Sequence, residues 1–235
     1  MSVQESIVRQ VENDSDELFD RCLKVLLEAF STHPLLLMRN GHDQELIELD
    51  IAQGFAGSFA KKLVYVTGHD DQDISAVMGI MLPVPPKKEP EEQDKKEEAI
   101  TNPVVIPAVD DREARLKKEY EAKWPEHLKK FIETEFTDRF KELKAAIGDE
   151  IWTNSHKVAM VGTSPSARGK GYGSALMRKV MDLAAEKGSW VLLVCWTQET
   201  ADWYLSLGMK IEYECDFPTV DQSKLHAWYF TWKAQ

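Results

Sequence analysis

Residues Thr163–Ser174 (TSPSARGKGYGS) join an apolar run to an amphipathic helical pattern, and no other stretch restricts the possible folds as tightly. Upstream, Val158, Met160 and Val161 form a short hydrophobic segment of strand type. Downstream, Leu176, Met177, Val180, Met181 and Ala184 recur at the spacing of one buried helix face. Gly169, Gly171 and Gly173 lie between them, with Arg168 and Lys170 interleaved. A glycine backbone can approach a ligand closely and adopt dihedrals closed to other residues. A helix that starts there aims unpaired N–H groups and the positive end of its dipole at its ligand, which favours phosphate. The stretch reads as an anion cradle for a phosphorylated cofactor. The alternative is a glycine-rich turn that only connects strand to helix.

The glycine spacing discriminates between cofactors. A dinucleotide fingerprint needs G-x-G-x-x-G with an acid about twenty residues on, and the nucleotide-hydrolase loop needs a Gly-Lys-Ser/Thr ending, which is absent. What stands is Arg168 to Gly173 (RGKGYG), which resembles the R/Q-x-x-G-x-G/A signature of the GNAT superfamily of acyl-CoA-dependent N-acyltransferases. Pro165 looks like that family's turn out of its fourth strand. A second stretch agrees. Trp190 to Trp196 (WVLLVCW) is a continuous apolar run of the kind buried on both faces. Gln198 to Leu207 then reads as a short helix, with Thr197 as N-cap and Gly208 as terminator. Family members commonly carry an Asn-led helix here, ending in Tyr-x-x-x-Gly-Phe. Tyr204 falls on the tyrosine, Gly208 and Met209 on the Gly-Phe pair, and Thr197 where Asn is frequent. The resemblance covers about residues 156 to 215.

The resemblance implies an α/β fold of GNAT type: a mixed central sheet splayed between its fourth and fifth strands, with helices on both faces. It implies acetyl-CoA as cosubstrate, its pantetheine arm lying in the splay like an extra strand. Backbone groups near Val161 and Thr163 would bond the pantetheine amides. N–H groups of Arg168, Gly169, Lys170, Gly171, Tyr172, Gly173 and Ser174 would hold the pyrophosphate, and Thr197 would border the same site. The implied reaction is direct attack of an amine on the acetyl thioester. The amine must lose a proton, and the tetrahedral intermediate needs donors such as a strand N–H. Tyr204 is the expected acid that protonates the leaving thiolate. Its alternative is a tyrosine buried beside Trp203 for packing.

The general base is not legible. Some relatives carry a glutamate eleven residues before the Arg/Gln of the motif, and here that position is Lys157. His156 is adjacent, but strand alternation sends it to the other face. His33 and His226 remain as candidates. Cys195 reads as core, since a covalent acetyl-cysteine route needs an activating base and none is near it in sequence.

A chain of 235 residues, 43% hydrophobic and 29% charged, can bury a substantial core. No apolar run reaches the ~20 residues of a membrane helix, and Met1 to Ser6 lacks the features of a signal peptide. Cys22, Cys195 and Cys215 are unpaired in number and spacing, as buried thiols in a reducing compartment would be. The expectation is a cytoplasmic enzyme without a metal, a monomer or homodimer. A net charge of −11 argues against nucleic acid. Residues 1–50 hold eleven acids against four Lys/Arg, and residues 189–222 hold six against one. That surface would concentrate cationic substrates or simply maintain solubility.

Val3 to Val11 reads as a first strand. Leu18, Cys22, Val25, Leu26 and Ala29 mark a helix that His33–Pro34 ends. A second helix begins after Gly41 and runs to about Phe59. Leu63 to Thr67 and Ile74 to Leu82 read as a hairpin with a polar turn at His69–Asp73. The expected organisation is one domain over 1–235, with a charged loop and helical insertion at about 84–150. Within the insertion, Lys87 to Glu98 has a composition too polar to order itself. The chain turns helical from Asp111, and Pro125 opens a helix whose stripe is Leu128, Phe131, Ile132, Phe136, Phe140, Leu143 and Ile147. The stripe packs on the sheet, or else its loops, with Trp124 and Trp152, wall the acceptor site.

An acceptor that is a small cationic amine competes with a protein lysine or N-terminus. A non-catalytic acyl-CoA sensor or interaction module competes with both.

Overall fold

The computed structural model describes residues 7–69, 72–84, 111–219 and 224–234. The expected charged loop from Lys87 to Glu98, and the expected start of the first strand at Val3, lie outside them. The first strand, β1, is the three-residue segment Val8–Gln10. Helix α1 (Asp16–Phe30) starts where the Ser15 hydroxyl accepts the Leu18 N–H at 3.4 Å, and buries Phe19, Cys22, Val25 and Leu26. His33–Pro34 does end this helical stretch, but it also opens a second one. Pro34 occupies the first position of α2 (Pro34–Arg39), where its missing N–H costs nothing. Asp43 caps α3 (Gln44–Ala60) by accepting the Leu46 N–H at 3.1 Å. Strands β2 (Val64–Thr67) and β3 (Ala76–Met81) form the expected antiparallel hairpin.

After the insertion come β4 (Ser155–Thr163), a 3-10 turn at Pro165–Ala167, α8 (Tyr172–Glu186), β5 (Trp190–Cys195), α9 (Gln198–Ser206), β6 (Lys210–Pro218) and β7 (Lys224–Trp232). They complete a seven-stranded sheet in the order β1-β2-β3-β4-β5-β7-β6. All neighbours are antiparallel except β4 and β5. The period-two alternation of strand side chains separates the faces. Ala76, Met78, Ile80, Val191, Leu193 and Cys195 meet the apolar stripe of α8 on one face. Val64, Val66 and Val77 meet Phe19, Leu26, Ile51, Phe55 and Phe59 of α1 and α3 on the other.

The insertion covers the surface that α1 and α3 leave open. It comprises α4 (Asp111–Ala122), α5 (Glu126–Phe131), a π-helical turn at Ile132–Phe136, α6 (Thr137–Ile147) and α7 (Asp149–Thr153). Leu143 and Ile147 pack on Leu192, Phe217, Ala227 and Tyr229 of the β5-β7-β6 half of the sheet. Leu128 and Phe131 instead pack on Leu46 of α3 and Tyr120 of α4. The expected single stripe is therefore divided. The π turn adds a residue to the helical repeat and rotates the face of α6 relative to that of α5, leaving Phe140 at 42% exposure against Trp152. Pro125 precedes α5 as its N-cap rather than entering its first turn.

Two features of β4 position the site. Gly79 pairs with Met160 but Ile80 pairs with Val158, so Ala159 is an extra residue bulged out of the ladder. On its other side β4 pairs with β5 only at Ser155–Lys157, opposite Trp190–Leu192. From Val158 onward the two strands part.

Candidate active site

The parting strands open a cleft of about 930 Å³. Its floor is the β4 segment Val158–Thr163 and the β5 segment Leu193–Cys195, each hydrogen-bonded on its outer side only. An unpaired internal strand edge offers N–H and C=O groups to an extended ligand that carries amides of its own. At the end of β4 the chain enters the glycine turn. Gly171 caps α8 with φ of +84°, a conformation that costs any L-residue strain, and a Cβ there would meet nothing within 4 Å. The first capping bond is Ala175 N–H to Gly171 O at 2.9 Å, leaving the N–H groups of Tyr172, Gly173 and Ser174 free at the start of a fifteen-residue helix. A Cβ on Gly173 would sit 3.3 Å from Thr163 Oγ1 and from the Trp203 ring. The turn is thus narrow at Gly173 and open at Gly171, as a cradle for a phosphate group requires.

Helix α9 closes the opposite wall, and its ends are well determined. Thr197 Oγ1 accepts the Thr200 N–H at 3.3 Å. At the other end Gly208 donates to Leu205 O at 3.0 Å and Met209 to Tyr204 O at 3.2 Å, the paired bonds of a Schellman terminus. Trp203 Nε1 donates to Ser174 Oγ at 3.2 Å and so ties α9 to the start of α8. Tyr204, 4% exposed, is held between Trp203 and Phe230 with ring centroids 4.7 and 5.4 Å away. Its ring lines the cleft, and among the described residues its hydroxyl has no hydrogen-bond partner. Burial raises its pKa further, so it stays a proton donor.

The expected site residues come together here. Val161, Thr163, Arg168, Gly169, Gly171, Tyr172, Gly173, Ser174, Thr197 and Tyr204 all line the cleft. Lys170 is exposed and lies outside the lining. Trp124 and Trp152 do not wall the cleft: Trp124 stacks edge-on against Tyr120, and Trp152 meets Phe140 and the Lys157 ammonium.

The structure also sorts the candidate bases. His156 is buried away from the cleft, with Nδ1 2.8 Å from Ser189 Oγ. His226 sits on β7 beside Asp216 at 2.8 Å, outside the lining. Lys157 points at Trp152. His33 alone of these lines the cleft, and among the described residues its buried Nδ1 has no partner. Burial, and secondly the Arg39 charge, push its pKa down to about 4, so the imidazole is neutral and its lone pair available across the physiological range. Cys195 also lines the cleft, but burial raises its thiol to about 12, so it holds no thiolate at neutral pH.

Sequence reasoning missed the wall opposite Tyr204, formed by Phe30, Leu35, Leu36, Arg39, Asp50 and Gln53. A signal for α2 existed in Pro34 followed by an apolar run and Asn40–Gly41. Nothing local indicated that Arg39 would meet Asp50.

The mixed sheet thus splays beside a helix start whose first N–H groups are free. Residues 140–210 match the family described as acetyltransferase (GNAT) domain. No curated protein sequence matches the chain. The fold is shared with arylalkylamine N-acetyltransferase 2 from Aedes aegypti (TM-score 0.59, 14% identity, covering 99% of this chain and 100% of that one). It is shared too with a Drosophila melanogaster polyamine N-acetyltransferase that forms N-acetylagmatine (0.56, 16%, 98% and 100%). A third such structure is a histone acetyltransferase HPA2 and related acetyltransferase from Corynebacterium glutamicum (0.52, 19%, 98% and 97%). Among the described residues no helix is long and apolar enough to cross a membrane.

Proposed function

We propose that the protein transfers the acetyl group of acetyl-CoA to a small primary amine by direct attack, within one domain whose insertion spans about residues 84–150. The observation that carries this reading is the free β4 edge from Val158 to Thr163, which runs straight into the glycine turn while Tyr204 faces it across the cleft. The edge fits an amide-bearing arm, and the first turn of α8 fits a pyrophosphate, with Arg168 adding charge at the rim. Acetyl-CoA supplies an activated thioester carbonyl. The chain's residues supply the rest. A β4 N–H near Met160 and Val161 stabilises charge on the carbonyl oxygen. His33, neutral but made a weak base by its burial, lines the cleft where it can orient the amine and pass its proton on through water. Tyr204 gives its proton to the leaving thiolate, whose conjugate thiol has a pKa near ~8.5. The acetyl polyamine and arylalkylamine enzymes of similar fold support a small amine as acceptor.

The test is release of free CoA thiol from acetyl-CoA in the presence of a panel of primary amines, with the acetylated product identified by mass. Absence of both acetyl-CoA binding and amine-dependent release would contradict the reading.

A further inference from the structure

The polar groups of the wall opposite Tyr204 form one buried unit. Asp50, at the centre, receives hydrogen bonds from Arg39 Nε (2.8 Å) and Nη2, from Asn40 Nδ2 (2.9 Å) and from Gln53 Nε2 (3.3 Å). Three of these bonds converge on Oδ2 and the Gln53 bond goes to Oδ1, so both carboxylate oxygens are engaged from within the wall. Its side chain is 1% exposed, whereas the Arg39 side chain keeps 24% of its surface open. Behind them Asn40 also donates to Leu36 O at 3.0 Å and accepts the Tyr120 hydroxyl at 2.8 Å. The guanidinium is therefore fixed from behind, and it is the charged group that this wall presents. Apart from Thr32 and His33, the rest of the wall is apolar: Phe30, Leu35, Leu36 and Ile51, with Met81 and Met160 also in the lining. Arg168, in the glycine turn, and Glu199, on α9, line the cleft from other elements than this wall, and His33 is neutral.

A second cation on the acceptor would meet Arg39 and find no free carboxylate on this wall. A planar guanidinium held in place is instead suited to a carboxylate, which it can grip through two parallel bonds. From this geometry we infer that the acceptor is an amine bearing a carboxylate, an amino acid in the broad sense, and that Arg39 selects it against diamines. The inference rests on the acetyl-transfer reading of the same cleft. It runs opposite to the overall negative charge, because the acid that reaches this wall is already consumed.

Three four-carbon amines test it: 4-aminobutyrate, butylamine and 1,4-diaminobutane, with kcat/KM from CoA thiol release. Wild type should prefer 4-aminobutyrate over diaminobutane by about tenfold or more, the size of a 1.4 kcal/mol charge contact. The difference should lie mainly in KM. Arg39→Gln should level the order, and Arg39→Lys should retain part of it. Arg39→Gln strands a buried carboxylate and can fail to fold, so the pair Arg39→Gln with Asp50→Asn, which removes both charges together and strands neither, provides the second variant. A wild type that prefers diaminobutane overturns the inference, as does an order unchanged in the folded double variant. Transfer to none of the three while acetyl-CoA still raises the melting temperature also overturns it, and leaves the CoA site standing. Only a protein indifferent to acetyl-CoA would sink the underlying reading instead.

Discussion

The Tyr120 hydroxyl donates to Asn40 Oδ1 at 2.8 Å and thereby joins helix α4 of the insertion to the wall of the cleft, eighty residues earlier in the chain. Both residues are buried, at 4% and 1% exposure. Tyr120→Phe keeps the ring but leaves Asn40 Oδ1 without its donor. Such a loss costs about 1–3 kcal/mol, and in a chain of this size each kcal/mol lowers Tm by roughly 2–4 °C. Thermal unfolding should register the drop. An unchanged Tm would mean that Asn40 finds another donor and that this bond is not what holds α4 in place.

On the proposed reading acetyl-CoA binds the folded state only, so saturating it should raise Tm, by about 2.7 kcal/mol of stability at a hundred times Kd. Gly171→Glu should abolish that shift, because its carboxylate would occupy the space that the pyrophosphate needs. Gly171→Asn, neutral and tolerant of positive φ, serves as the folding control and should retain some shift. Wild-type affinity in a folded Gly171→Glu protein would move the phosphate site elsewhere.

Tyr204→Phe removes a hydroxyl that has no partner among the described residues, while the ring contacts to Trp203 and Phe230 remain. General-acid contributions are about a hundred- to ten-thousand-fold. The expected result is a fall in kcat of that order, with acetyl-CoA affinity and Tm close to wild type. A loss of stability with turnover preserved would identify the hydroxyl as structural, and another group or water as the acid.

His33 sets a pH dependence of defined sign. Its folded-state pKa, about 4, lies below the unfolded value of about 6.5, so between these pH values the unfolded chain binds more protons. The stability contributed by keeping the ring neutral is complete above about pH 6.5 and is lost as pH falls toward 4. The loss is at most about 1.4 kcal/mol per pH unit. His33→Gln should flatten the Tm profile over that window. His156, whose pKa burial also lowers, contributes to both proteins and cancels in the comparison. Parallel profiles would show that His33 is not buried as a neutral ring.

Much of this protein is dictated by neighbouring residues alone. The periodicity from Leu176 to Ala184 specified a helix with one buried face, and the glycines before it specified where that helix would leave N–H groups free. Thr197 and Gly208 bounded α9 and so set Tyr204 facing inward, since caps act over three or four residues and are written in the local sequence. The splay of β4 from β5 came only by family resemblance, and the bulge at Ala159 came from nothing in the sequence, because both depend on how distant strands register. His33, His156 and His226 are chemically the same residue in a string of letters. Only the packed chain puts one on the cleft, one against Ser189 away from it and one on β7 beside Asp216. Arg39, Asp50 and Tyr120 carry no mutual signal along the chain either. They meet because α2, α3 and α4 bury apolar faces in common, and the polar groups trapped between them must then satisfy one another.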